Sequence, residues 1–435
     1  MHISTIFFLE KKLLIRDKWI LVALFLFTLT ALWSLHNGQQ VYHYHATAAD
    51  SLQAANNANF ANVKAELDTL DFSHNGRAAV ETPFTLDYRL KPMVSRELNP
   101  MMAFSIGQND VLVLHKSARI TQPVFSNDFD DFKNPEQLLA GSFDLSFYLL
   151  FLFPLLFLAL SYNLQSAEKE KGIWINWQAA ASKGLLAAHT WRITIRWVLS
   201  LAPFIIVSIV GLIWLSDQYN FMIVDWLKWQ GYALLYCLLW LIIVWLIHRL
   251  RLNSMLNGIT ILGVWILLLI AIPGVVNTLS NSSYADSSQI DIANFRDIPE
   301  ASWEAPFEVH KNYFAKRYNK PLKDTGLYSE TIVKVYGYMM MTLEAEEVLH
   351  NNMTEALLNR KQMEKVTFLI NPAAAIFRGF TQVAQSGQAH QIAFEQKLYA
   401  YRLQRFYHMN DNLVNAYRFK PDDLLAMPEW NPNEE

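Results

Sequence analysis

Apolar positions in this chain are bunched into runs, and the runs are separated by long polar segments. Five stretches carry no Asp, Glu, Lys or Arg: 19–35, 145–162, 197–215, 231–247 and 255–276. Each approaches the roughly 20 residues that a helix needs to cross a ~30 Å hydrocarbon core. After Asp286 no comparable run occurs. Pro154, Pro203 and Pro273 fall within or near the ends of three of them, where membrane helices tolerate proline because neighbours satisfy the freed carbonyls. The first run is entered through Lys11, Lys12, Arg16 and Lys18, and an A-x-A cleavage pattern at Ala46–Ala48 lies well past its end. An uncleaved signal anchor is therefore expected.

The predicted fold class is an α-helical polytopic membrane protein with five transmembrane helices. An interfacial helix over 1–18 precedes spans at 19–36, 143–162, 194–216, 230–248 and 255–276. Lys169, Lys171, Lys183 and Arg192 collect in the loop 163–193, with Arg196 at the inner end of the next span, and Arg249 and Arg251 in the turn 249–254. The loop 217–229 holds Asp217 and Asp225 against Lys228 alone. Lys and Arg mark the cytoplasmic side, so the amino terminus is expected inside and residues 37–142 and 277–435 outside. Multi-pass insertion in a bacterial inner (cytoplasmic) membrane fits this pattern.

Within the polar segments, Ile3, Ile6, Phe7, Leu13 and Leu14 lie close to one helical face, which reads as an interfacial helix or as a basic flank to the anchor. An Ala, Asn and Gln stretch over 46–63 favours helix, extending the first span outward. Between Pro83 and Pro135, short apolar pieces such as DVLVL at 110–114 predict a mixed α/β insert. The second outer segment opens with a Ser, Asn and Asp loop over 277–291. A charged helix follows over 331–365, then a break at Asn371-Pro372 and another helix over 389–413. A mainly helical second outer domain is the expectation.

Composition narrows the function. Of 435 residues, 52% are hydrophobic and only 17% charged, and 36 basic against 39 acidic side chains leave a net charge of −3. No basic excess exists to neutralise phosphates, so nucleic acid is not an expected partner. The lone Cys237 allows no intrachain disulfide and reads as a packing residue in an apolar run. His36, His43 and His45 lie close together with no acid or cysteine at ligand spacing, so no metal site is nominated. Neither G-x-S-x-G nor H-E-x-x-H is present, and the chain has no Gly-Lys dipeptide, hence no phosphate loop. No catalytic residue is nominated and no cofactor is expected on this chain. Asp144, at the mouth of the second span, is a candidate outer polar site, although an aspartate there more often caps the helix. Arg196 is expected to snorkel to lipid phosphates. In the inner loop, Gly172, Trp174 and Trp177 fit either a short amphipathic helix on the membrane surface or a connector whose tryptophans anchor at headgroups.

Three segments resemble the ABC-2 type transporter permeases, in particular the subgroup with two large extracytoplasmic inserts. Residues 141–172, GSFDLSFYLLFLFPLLFLALSYNLQSAEKEKG, are similar to that family's second helix and its E-x-E-x-G turn, with Glu168, Glu170 and Gly172 on the motif positions. Residues 98–110, LNPMMAFSIGQND, resemble its first outer segment. The third likeness is INPAAAIFRGFTQVAQSG at 370–387, followed by F-x6-Y-R at Phe394–Arg402.

The resemblance implies a permease subunit of an ATP-driven exporter, with ATP and Mg bound and hydrolysed in a partner ABC ATPase subunit. It implies a second permease subunit, as a homodimer or related heterodimer. It places the ATPase-coupling contact on Glu168, Glu170, Gly172, Trp174, Trp177 and Lys183, and likens the amino-terminal helix to the family's elbow helix. The family has six membrane helices where this chain shows five: the resemblance puts the sixth after Trp430, where the sequence ends instead at Asn431-Pro-Asn-Glu-Glu, by truncation or because the last helix is dispensed with. A periplasmic partner is compatible with the large inserts, and membrane lipid is an expected contact. The competing reading is a non-transporting scaffold or sensor that binds a ligand or protein through its outer domains. A membrane enzyme comes last, because no convergent acids or nucleophile can be assembled from spacing.

Overall fold

The computed structural model describes residues 10, 12, 16–69, 83–110, 112–120, 142–172, 185–218, 220–276, 278, 301–318, 330–414 and 427–430. Among the described residues, five helices are long and apolar enough to cross a membrane. They are α1 (Lys18–Thr69), α3 (Leu145–Glu170), the pair α4 (Leu185–Ser200) and α5 (Ala202–Ser216), α6 (Ile223–Arg249) and α7 (Ser254–Val276). The expected interfacial helix falls mostly outside the described residues, of which Glu10, Lys12 and Arg16 are helical.

Continuity of α1 follows from its composition. Its 52 residues contain no proline and only Gly38, so nothing interrupts the hydrogen-bond ladder where the apolar run stops. At 1.5 Å per residue it is ~78 Å long, and its carboxyl half leaves the bundle. The helical extension of the first apolar run expected over 46–63 is present. The α4–α5 pair turns at Leu201, with Pro203 in the first turn of α5, where the missing N–H costs little.

Two of the long helices contain π-turns, Tyr148–Leu152 in α3 and Leu267–Ala271 in α7. Such turns leave carbonyls badly served by their own helix, and in an apolar bundle each needs another donor. Tyr236 Oη donates to Leu150 O at 2.6 Å, Trp265 Nε1 to Phe151 O at 3.1 Å, and Asn371 Nδ2 to Leu268 O at 2.8 Å. The bundle interior is filled by Phe153, Phe157, Val207, Ala233, Cys237, Trp240 and Val244, all fully or almost fully buried. Apolar side chains of α1 and α7, such as Phe25, Trp33, Met255 and Ile270, remain exposed on its outside.

The polar elements are α2 (Pro83–Leu90), β1 (Met93–Ser95), β2 (His115–Ser117), α8 (Phe307–Tyr318), α9 (Glu330–Ile370), α10 (Pro372–Val383) and α11 (Gln388–Val414). The strands pair antiparallel with Val94 opposite Lys116. The strand expected over 110–114 lies further on, because the chain is still turning there and Leu112 N–H is bonded back to Gln108 O. The long helix expected over 331–365, the break at Asn371 and the helix over 389–413 are all present, with Asn371 capping α10 through bonds from Ala373 and Ala374 N–H. The loop expected over 277–291 lies outside the described residues except for position 278.

The two polar inserts share one core. Val63 and Leu67 of α1, with Leu90 and Ile120, pack against Tyr336, Met339 and Leu343 of α9 and Phe406 of α11. Around this core three ion pairs join the inserts or their helices: Arg402–Glu346 at 2.7 Å, Arg405–Asp87 at 2.8 Å and Lys116–Glu395 at 2.9 Å. Arg402 also donates to Arg119 O. Pairs this deeply buried add little net stability because desolvation offsets their attraction, but leaving one half unpaired is costly. They fix which faces of α9 and α11 meet the first insert. Burial pushes the Asp87 carboxyl above its usual range, against the opposing pull of Arg405 and the Ile120 N–H.

Candidate functional site

Residues 98–110, the start of 141–172 and residues 370–387 meet at one end of the bundle, the far end, from which α1 projects. Pro100–Ala103 forms a short 3-10 turn capped by Asn99, and Met101 to Ile106 are buried. Two glycines allow it to sit so deep. A Cβ on Gly38 would lie 1.9 Å from Ala103 O, and one on Gly211 would lie 2.3 Å from the Phe104 ring. Phe104 stands edge-on to Trp229, which stacks on Phe380 of α10 with ring centres 4.5 Å apart.

Asp144 belongs to this junction. One carboxylate oxygen accepts from Phe147 N–H at 2.7 Å and Ser146 Oγ at 2.6 Å, so Asp144 caps α3. The other accepts from Ile106 N–H at 2.7 Å. Ser146 N–H donates in turn to Phe104 O, and Gln108 N–H donates to Ser386 O, both at 3.0 Å. A candidate polar site on sequence grounds is thus a buried clamp between residues 98–110 and α3. Its oxygens are occupied by chain donors.

A further strut is Asn371. Its amide caps α10 and reaches Leu268 O inside the π-turn of α7. Ala373, Phe380 and Ala384 are buried in the same cluster as the long helices. The start of α10 therefore sits beside the apolar length of α7, not beyond its end. Sequence reasoning identified Asn371 only as a break. An N-cap asparagine followed by an apolar run is the signal that could have marked it.

The opposite, basic end holds the residues of the E-x-E-x-G turn. Glu168 accepts from Arg192 of α4 at 2.8–2.9 Å. Glu170 accepts from Ser254 N–H at 2.8 Å and Ser254 Oγ at 3.1 Å, at the start of α7. Gly172 ends the turn with φ +70, a left-handed position that glycine adopts without penalty, and among the described residues nothing lies within 4 Å of where a Cβ would stand. Trp174, Trp177 and Lys183 lie outside the described residues.

Glu10 was missed by sequence reasoning. It is 1% exposed, hydrogen-bonded by Arg192 and 3.4 Å from Arg196. An acid in an otherwise basic flank is the signal that could have marked it. Arg196 does not snorkel outward as expected. It turns inward to Glu10 and to Leu160 O, because a buried carboxylate offers more than a shared headgroup. Nearby, His248 bonds to Val244 O and Ser161 O, with the His189 ring 5.4 Å away.

Of the clustered histidines, His43 packs edge-on to Trp214 and the His45 ring lies 6.2 Å from His115. Beyond the bundle, the Arg96 guanidinium joins Asn109 to Gln391 of α11, and burial lowers its pKa to about 10.

Residues 289–433 match a family described as a domain of unknown function (DUF3526). The matched region contains α8 to α11, hence Asn371, Phe380 and Arg402. No curated protein matches the chain, and no solved structure matches it.

Proposed function

We propose that this chain is the membrane-spanning permease subunit of an ATP-driven ABC exporter of the ABC-2 type, driven by a separate ATPase subunit that binds ATP and Mg. In this reading the basic end faces the cytoplasm of a bacterial cell, the five long helices cross the inner membrane, the α2, β1–β2, α8, α9 and α11 elements stand outside, and α10 is seated at their base against α6 and α7. A second permease subunit, identical or related, completes the pathway.

The observation that carries the reading is the wiring of the turn at 168–172. Glu168 is tied to α4 through Arg192 and Glu170 to α7 through Ser254, while Arg192 also holds Glu10. A push on this turn by a docked ATPase is therefore delivered to three separated elements at once. Coupling needs a contiguous element that two states can bias, and this network supplies one at the surface where an ATPase would sit. The far junction is packed without comparable charge, so the reading assigns it the fixed end of the movement.

Affinity purification of the chain from its native membranes tests this. A co-purifying ATPase whose stimulated hydrolysis falls at least tenfold in Gly172→Trp, with the chain still folded, is the expected result. If no ATPase accompanies the wild-type chain under conditions that keep other transporter complexes whole, the exporter reading fails. The scaffold or sensor reading then takes its place, supported by the shared core of the two inserts.

A further inference from the structure

Arg96 carries a buried positive charge that its surroundings do not balance. It follows β1 directly and is 7% exposed. Its guanidinium donates to Asn109 Oδ1 and, at 3.2 Å, to Gln391 Oε1, and both acceptors are neutral amides. The Nε–H has no acceptor, and among the described residues Arg96 forms no ion pair. Glu395, one turn along α11 from Gln391, is taken by Lys116 at 2.9 Å and by Gln391 Nε2 at 3.1 Å. An arginine is never deprotonated in a protein, and a buried charge without a counter-charge is costly to hold.

The groups around this charge share its sign or lack a partner of their own. Gln391 lies in the first turn of α11, which begins at Gln388, and the amino-terminal end of a helix carries positive partial charge. Just before that turn, Ser386 is fully buried and its Oγ has no partner. Ser386 is held against the same loop that supplies Asn109. Gln108 N–H donates to Ser386 O at 3.0 Å, and a Cβ on Gly107 would stand 2.5 Å from Ser386 Oγ. His390 Nδ1, beside Gln391, is likewise buried without a partner, and its pKa is lowered by burial and then by the Arg96 charge. Gln108, Gln388 and Ala389 at the rim are exposed, so a solvent ion reaches the edge of this cluster.

We propose that a monatomic anion of chloride size binds between residues 105–109 and the first turn of α11, taking hydrogen bonds from Arg96 Nε–H and Ser386 Oγ. The anion supplies the counter-charge that Arg96 lacks, and bonds from a charged donor are the stronger kind. His390 completes the edge of the site with an N–H on Nδ1. A cation would meet Arg96 as repulsion, and the tight contact of Gly107 with Ser386 favours a single atom over phosphate. Bound there, the ion joins the first outer insert to α11.

Chloride-35 NMR on the full chain in lipid nanodiscs tests this, with chloride titrated into gluconate buffer at constant ionic strength. The expected result is saturable line broadening that bromide reverses and gluconate does not. Chloride should also raise the melting temperature saturably, because it binds the folded chain alone. Arg96→Met should abolish both effects. Ser386→Ala removes only a hydroxyl and keeps the variant test open if Arg96→Met does not fold. It should weaken chloride binding about tenfold while the circular dichroism is unchanged. Absence of saturable broadening in the wild-type chain, or an unchanged chloride affinity in either folded variant, would overturn the proposal. Persistence of the broadening in both variants would mean an adventitious ion only.

Discussion

The two ends of the helix bundle are held by different physics. At the basic end, charged side chains do the joining: Glu10, Glu168 and Glu170 reach Arg192, Arg196 and Ser254 across elements distant in sequence. At the far end, Gly38 and Gly211 admit a buried turn, aromatic rings stack, and most of the polar bonds are to backbone groups. Charge-assisted bonds between long side chains can be remade over a range of geometries, whereas close packing admits one arrangement. In the exporter reading the ion-paired end is the one that shifts, and the end held by close contact is the one that stays put.

The sharpest way to break this comparison is to fill the space at the far end. Gly38→Leu would drive a side chain into Ala103 backbone, which cannot move aside as a side chain could, and overpacking costs about 1–3 kcal/mol or more even where neighbours can yield. The expected outcome is loss of monodisperse protein on size-exclusion chromatography. A folded variant melting near the wild-type temperature would show that the far end is looser than described.

Next in size is the basic end. Glu10→Gln leaves Arg192 and Arg196 buried with less compensation, and breaking one side of such a network costs about 3 kcal/mol. Combining it with Arg192→Met should recover part of that loss, because the orphaned charge goes too. Thermal melting of the single and double variants measures the coupling. Additive losses would mean that the pair is not coupled in solution.

Asn371→Leu comes third, since it removes the α10 cap and leaves Leu268 O without its donor. A loss of about 1–3 kcal/mol follows from an unsatisfied buried acceptor and a missing cap. Asn371→Asp keeps the cap but cannot donate, so it should lose more than a cap-only role predicts. Equal stability of Asp and wild type would remove the α7 contact from the account.

The smallest effect concerns pH. Burial depresses the pKa of His115, and burial together with Arg96 depresses that of His390, each from an ordinary value of 6.5. The folded chain therefore holds fewer protons than the unfolded chain just below that value, so this stability is complete above pH 6.5 and declines as pH falls. Asp87, with its raised carboxyl, acts with the opposite sign near its own lower range. Melting curves from pH 7.5 to 5.5 should drift downward, and His115→Gln with His390→Gln should flatten the drift. An unchanged drift in that variant would assign it elsewhere.

Much of the fold was legible in particular residues. Trp19–Leu35 and the four later runs are visible because membrane-crossing length is a one-dimensional property. Asn371-Pro372 reads as a helix boundary because capping and proline geometry are local, and Asp144 reads as a cap for the same reason. The candidate site was legible only in parts. Glu168, Glu170 and Gly172 were visible as a motif, yet the residues they act on, Arg192 and Ser254, were not.

The sequence by itself determined which segments are apolar, where helices begin and end, and which loops carry positive charge, because each depends on neighbours along the chain. Tertiary structure alone decided that Glu10 meets Arg192 at a separation of 182 residues and Arg405 meets Asp87 at 318. It alone decided that residues 98–110, Asp144 and Ser386 form one junction. The physical reason is register. Helix periodicity says which face of α4 or α11 is polar, but which partner that face meets depends on how far each helix slides and rotates against the others, and no local pattern encodes that.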